Sequence, residues 1–289
     1  MTLLKKSRLA GLIVLCIAMF MISCNSKSNS KSFRNSDMYD FANPTIIDLP
    51  ADLDEISGIS YYAKDTSVFA IIDEDGMLFK IPILHPGNAK QWRFDKQRDY
   101  EDIVMKDSIF YVLVSNGDIE QVNFVGDSIR TNKTNFSDQS KKVNEFETLY
   151  YDADSNRLVI MCKQCEEDKK AKVSSFALGD SGIAYHAFME IDVAPIAKKL
   201  GMDKLALKPS AAAINPITKD LYIVCSVSKL LLITDSRGKF KDVFELNPKI
   251  YKQPEGLTFT PAGDLIISNE VFLEGYATLL ILKNKKKGQ

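Results

Sequence analysis

A short motif recurs five times along the chain: Ile56-Ser57-Gly58-Ile59, Tyr100-Glu101-Asp102-Ile103, Phe146-Glu147-Thr148-Leu149, Pro209-Ser210-Ala211-Ala212 and Pro254-Glu255-Gly256-Leu257. From one Ser or Glu to the next the intervals are 44, 46, 63 and 45 residues. Self-similarity with a period of roughly 40 to 50 residues marks propellers and solenoids, so it constrains the fold before any local propensity does. In each copy an apolar, aromatic or proline residue precedes the Ser or Glu, and an apolar, strand-like run follows. The chain therefore reads as five similar units that each present one polar side chain to a common place.

Within the first unit, four short β-type runs (Ile59 to Tyr62, Val68 to Ile72, Met77 to Ile81, Gln91 to Phe94) are separated by turn signals such as Asp73-Glu74-Asp75-Gly76 and His85-Pro86-Gly87-Asn88. Four strands per repeat is the blade plan of a β-propeller. The second and fourth units follow the same plan. The third carries extra sequence, Val193 to Leu205, whose apolar spacing and Gly201 stop predict a short helix. That insertion accounts for the 63-residue interval without a sixth blade.

The last unit holds only three strands before the chain ends, whereas Asn43 to Leu49 is a strand with no neighbour in sequence. Pairing the two closes the ring and removes a sheet edge that would otherwise recruit other chains. The expected fold is all-β, one propeller of five four-stranded blades closed by the N-terminal strand, with six blades as the alternative. About 260 residues after the leader suit one such domain.

The N-terminus has Lys5, Lys6 and Arg8 ahead of an apolar run from Leu9 to Ile22. That is the organisation of a secretory signal, and it is too short for a membrane-spanning helix. Met21-Ile22-Ser23-Cys24 resembles a bacterial lipobox, which makes Cys24 the lipidated first residue of the mature chain; an ordinary signal with an incidental cysteine is the alternative. The polar stretch after it reads as a tether. The expected organisation is a leader at 1–23, Cys24 and a flexible tether over 24–42, the propeller over 43–283 and a basic tail over 284–289. The expected location is the bacterial cell envelope, extracytoplasmic and attached to a membrane by lipid.

A net charge of −1 with no basic strip argues against nucleic acid as a partner. The basic tail is a solvated end or a weak contact with anionic headgroups. Nothing in the pattern requires an oligomer, and a monomer is expected.

The motifs resemble those of the SdiA-regulated family of bacterial β-propeller proteins, which includes the YjiK-like proteins. The resemblance is carried by Glu55-Ile56-Ser57-Gly58-Ile59, Ile72-Asp73-Glu74-Asp75-Gly76, Tyr100-Glu101-Asp102-Ile103, Phe146-Glu147-Thr148-Leu149, Pro209-Ser210-Ala211, and Gln253-Pro254-Glu255-Gly256-Leu257 with Ser268-Asn269-Glu270. It covers nearly all of the mature domain. It departs from the family pattern in lacking a proline after Glu270 and in carrying a cysteine pair in the third blade. It implies an exported or membrane-associated propeller, and it implies no reaction.

If each Ser or Glu opens the innermost strand of its blade, then Ser57, Glu101, Glu147, Ser210 and Glu255 ring one mouth of the channel. Asp73, Glu74 and Glu270 fall at the end of the following strand and join them. So many carboxylates in one funnel repel each other and hold protons unless a cation intervenes. Hard oxygen ligands of this kind suit calcium or magnesium, so Glu101, Glu147 and Glu255 are candidate metal ligands, with Ca2+ the candidate ion. The alternative is that these side chains cap backbone amides between blades.

No catalytic residue is assigned. The two histidines, His85 and His186, lie in a loop and an outer strand, away from the recurring motif, which leaves a Ser-His-acid arrangement without its base. The mouth is expected to bind a small molecule or a protein; a metal-dependent hydrolase of a phosphoester or lactone is the alternative, and a scaffold acting through the blade faces is a third reading. Among Cys162, Cys165 and Cys225, a disulfide between two suits an exported protein. Lys163, between the first two, is a candidate to neutralise the acidic mouth.

Overall fold

The computed structural model describes residues 33–286, apart from 127, 137–143 and 180–184. The leader and Cys24 lie outside the described residues. Strand β1 (Thr45–Asp48) precedes the first complete blade, which holds β2 (Ile56–Tyr62), β3 (Ser67–Ile72), β4 (Met77–Pro82) and β5 (Lys90–Arg93). The second blade is β6 (Tyr100–Lys106), β7 (Ile109–Val114), β8 (Ile119–Val125) and β9 (Ser128–Thr134). The third is β10 (Asn144–Asp152), β11 (Arg157–Cys165), β12 (Lys172–Leu178) and β13 (Tyr185–Asp192). After helix α1 (Ala194–Leu200) comes the fourth, β14 (Ala211–Ile214), β15 (Leu221–Cys225), β16 (Leu230–Thr234) and β17 (Phe240–Glu245). The last is β18 (Pro254–Phe259), β19 (Leu265–Asn269) and β20 (Thr278–Leu282), completed by β1 along β20 with Thr45 opposite Ile281. The protein is a five-bladed β-propeller closed by its N-terminal strand, as the repeat predicts.

Burial follows position in the blade. The middle strands β15 (LYIVC) and β16 (LLLIT) are buried at every residue, because a sheet covered on both faces needs apolar side chains on both. The outer strands β5 and β9 are largely exposed and carry lysine and arginine. Five apolar clusters fill the wedges between successive blades. Helix α1 starts with Pro195 in its first turn and stops at Gly201, which takes a left-handed φ of 67°. Its Ile196 is buried in the wedge between the third and fourth blades.

Two boundaries differ from the expected ones. Residues 33–42 are not all tether: Tyr39 and Phe41 are buried between the fourth and fifth blades, and the Tyr39 hydroxyl donates to Gly263 O at 2.6 Å and accepts from Asn215 Nδ2 at 2.8 Å. Arg34 forks onto Asp242 at 2.6 and 3.0 Å. At the other end, Asn284 is buried, its N–H donates to Asp264 Oδ1 at 3.0 Å, and Lys285 N–H donates to Met38 O at 2.9 Å. The start of the tail thus belongs to the domain, because it and the N-terminal segment bond one another across the last wedge.

The inner strands approach so closely that two positions admit no side chain. A Cβ on Gly58 would lie 2.5 Å from Asp102 Cα and from Ile103 N, and one on Gly256 would lie 2.6 Å from Ser57 O. Asp102 is buried in this contact, where its carboxylate accepts N–H bonds from Ile103 and from Leu149 of the next blade, both at 2.8 Å. Burial pushes its pKa well above the ordinary carboxylate range while the two amides oppose that shift. Further links run from Ser57 Oγ to Glu101 O and from Ser268 Oγ to Ser57 O.

Candidate functional site

Four of the five recurring positions share one structural cause. In β6, Tyr100 pairs with Val114 and Asp102 with Leu113, which leaves Glu101 as an extra residue in a β-bulge. Glu147 is extra in β10, between the pairs Phe146–Cys162 and Thr148–Met161. Glu255 is extra in β18, between Pro254–Asn269 and Gly256–Ser268. In β2 the bulge takes in both Ser57 and Gly58. Ser210 sits just before β14 and donates its N–H to Val224 O at 2.8 Å. A bulge re-aims one side chain out of the sheet's alternation. Here these five side chains line one cavity of 540 Å³ at a mouth of the channel.

A second set comes from the exit of the next strand. Asp73, Lys163 and Glu270 follow the residues paired with Ile56, Phe146 and Pro254, and all three line the cavity. The third blade's hairpin is one residue longer than the fifth's, so the place that a 15-residue spacing assigns to Cys162 is held by Lys163. Glu74 is exposed and does not line the cavity. Glu55, Ser226, Lys229 and Lys252 do line it, although the repeat does not single them out. Their signal is adjacency: Glu55 lies two residues before Ser57, and Ser226 and Lys229 flank the turn after β15. His85 is in an exposed loop and His186 is exposed on β13.

Charge is distributed unevenly around the mouth. Lys163 pairs with Glu145 at 3.0 Å and with Glu147, which also accepts from Ser210 Oγ at 3.4 Å. Lys229 donates to Ser226 O at 2.6 Å. On the side of the first, second and fifth blades, Glu55, Asp73, Glu101 and Glu270 have no ion-pair partner among the described residues; Gln253 donates an amide hydrogen bond to Glu270. Burial, then Asp99, push Asp73 up to about 6. Burial and the charge of Glu255 push Glu270 up to about 7. Glu101 is pushed up to about 9 by burial and then by Asp99, with Lys163 opposing. Burial also raises Glu255, against hydrogen bonds from Ser226 and Ser210 and the charges of Lys163 and Lys229.

The candidate metal ligands Glu101, Glu147 and Glu255 do not bring their oxygens within chelating distance of one another. Among the described residues, the grouping with three candidate ligand atoms within 4.8 Å is Cys162, Cys165 and Asp168. That group is committed elsewhere. Cys162 and Cys165 form a disulfide, and Asp168 accepts from Ser174 N at 2.9 Å and Ser174 Oγ at 2.6 Å. The disulfide brackets Lys163, which is itself the extra residue of a bulge in β11, between the pairs Glu145–Gln164 and Phe146–Cys162. It therefore holds the ammonium among the carboxylates.

Cys225 is a buried free thiol, pushed up to about 12 by burial. A thiol both buried and protonated is unreactive. Alkylation of the folded, non-reduced domain should leave all three of these cysteines unmodified, and reduction should add two labels, at Cys162 and Cys165; mass spectrometry of the peptides checks this. Labelling of Cys225 without denaturant would contradict its burial.

The motif's family model matches residues 46–273. The chain belongs to the SdiA-regulated family. A comparison with curated proteins finds no match. Among solved structures, the SdiA-regulated chain is similar to a glutaminyl cyclase from Myxococcus xanthus, with a TM-score of 0.55 and 13% identity, covering 83% of this chain and 94% of that one. It is also similar to a luciferin-regenerating enzyme, at TM-score 0.50 and 9% identity, covering 86% of this chain and 98% of that one. A PQQ-bound aldose sugar dehydrogenase from Streptomyces coelicolor gives TM-score 0.50 and 10% identity, covering 84% and 98%. At such identities the likeness is one of fold. No helix among the described residues is long and apolar enough to cross a membrane.

Proposed function

We propose that this SdiA-regulated propeller is a binding module, and that its acidic mouth receives a positively charged group carried by a ligand. One observation carries the reading: Glu55, Asp73, Glu101 and Glu270 converge on one side of a 540 Å³ cavity with no ion-pair partner among the described residues. Carboxyl groups with raised pKa values are poised to ionise when a cation arrives, because the cation removes the repulsion that keeps them protonated. Binding then releases protons and tightens as pH rises from about 6 to about 9. The bulges hold the donors on rigid inner strands, so little ordering accompanies binding.

Titration calorimetry with Nα-acetyl-lysine amide, arginine amide and calcium chloride tests this, run in two buffers of different ionisation enthalpy. Saturable binding with proton release is expected for at least one of these probes, and it should be lost in the variant Glu101→Gln, Glu255→Gln, Glu270→Gln. If no probe binds and the variant behaves as the parent, the mouth is a set of structural caps and the reading fails. Calcium binding alone would favour a metal site formed by movement of these carboxylates.

We propose further that the chain is exported and lipid-anchored at Cys24, on the strength of the leader and the lipobox-like Met21-Ile22-Ser23-Cys24. Cys24→Ala should move the protein from the membrane to the soluble fraction. Retention in the membrane fraction would count against it.

A further inference from the structure

The loop between β19 and β20 is fastened at both ends and bare in the middle. Val271 N–H donates to Asp54 O at 3.0 Å, and Ala277 O accepts from Leu49 N–H at 2.9 Å. Between these ties Phe272, Leu273 and Tyr276 are 51%, 88% and 61% exposed. Leu273 holds a φ of 67°, a left-handed conformation that costs about 1 kcal/mol or more for a side chain of this kind. In the neighbouring fourth blade, in the turn after β15, Val227 is 71% exposed. Phe272 and Val227 both line the acidic cavity. Large apolar side chains grouped beside polar ones on a surface mark a place of contact with another molecule, and aromatic residues are the usual anchors of such contacts.

We propose that the mouth and this loop together dock a polypeptide segment in which a lysine or arginine is flanked by apolar residues. This rests on the reading above and names the ligand. The argument is complementarity of charge and apolarity at one rim. Glu270 immediately precedes the loop, and Asp73 and Glu55 share its side of the cavity without a cationic partner among the described residues. A bare ion satisfies these carboxylates and leaves Leu273 and Tyr276 in water. An anionic lipid surface covers the apolar loop and is repelled by the acids. A basic side chain set between apolar ones answers both, its ammonium or guanidinium entering the mouth and its neighbours covering the loop. Lys163, Lys229 and Lys252 offset part of the acidity, which restricts the mouth to one such side chain and disfavours a polybasic run.

The test compares Nα-acetyl-lysine amide with a blocked pentapeptide carrying lysine between leucine and phenylalanine, by calorimetry or fluorescence anisotropy. The pentapeptide should bind at least tenfold more tightly. Leu273→Ser with Tyr276→Ser should remove that advantage and leave the lysine amide unaffected, since neither residue lines the cavity. Glu270→Gln should weaken both probes. Equal affinity for the two probes overturns the role of the loop and leaves the cation site standing. Failure of both probes, with calcium also unbound, overturns the cation site itself. A loop variant that loses binding to phosphatidylglycerol vesicles, with peptide binding intact, shows the loop to be a lipid contact and overturns the peptide proposal.

Discussion

Gly58→Ala should destabilise the propeller by about 3 kcal/mol or more, because its methyl group would overlap backbone that cannot move away. The added Cβ would lie 2.5 Å from Asp102 Cα and from Ile103 N, both in the inner strand of the next blade. A flexible side chain would swing aside; a strand hydrogen-bonded within its own sheet has to shift with that sheet. Chemical denaturation followed by tryptophan fluorescence measures the loss, since Trp92 packs edge-on against Phe124 of the neighbouring blade with ring centroids 5.0 Å apart. Asp102→Ala empties the same contact and is the informative companion. It leaves the Ile103 and Leu149 amides without their acceptor, and each buried unsatisfied donor costs about 1 to 3 kcal/mol. A Gly58→Ala protein as stable as the parent would show that the blades are spaced more widely than described.

The second large effect is on pH dependence. Asp73, Glu270 and Glu101, at about 6, 7 and 9, hold protons in the folded chain at pH values where the unfolded chain, with carboxyl pKa values near 4, has released them. The folded state therefore binds more protons between about pH 4 and about pH 9, and stability falls as pH rises through that window. The contribution is whole below the unfolded pKa and gone above the folded one. Glu101→Gln removes the group that titrates last, so it should flatten the fall between pH 7 and pH 9. After allowance for solvent screening, the gain at pH 9 should be about 2 kcal/mol. Stability of the parent that is level from pH 5 to pH 9 would refute the raised values.

The features legible in the amino-acid sequence are those that repeat. Five copies of one motif disclose five blades, and the partnerless strand at the N-terminus discloses the closure, because both depend on counting. The column of Ser57, Glu101, Glu147, Ser210 and Glu255 lines one mouth, with bulges as the reason for all but Ser210, which sits just before its strand. What counting misses is set by single contacts between distant residues. Tyr39 reads as tether until its hydroxyl is seen to donate to Gly263 O and to accept from the Asn215 amide. Lys163 takes the place on the mouth that Cys162 would hold if the third blade's hairpin were one residue shorter. Asp102, next to Glu101 in the motif, is turned into the joint between blades by the amides of Ile103 and Leu149, a role that the repeat does not disclose.

The pairing of β1 with β20 also sets the order in which the molecule can be made. Thr45 meets Ile281, so one of the first strands to emerge waits for nearly the last. Until then the four complete blades can form from local hairpins, while the ring stays open along two unpaired edges. Such long-range closure is slow compared with hairpin formation. Completion of the ring and completion of the mouth are thereby one event: until residue 281 is in place beside Thr45, the chain has neither a closed channel nor a finished mouth.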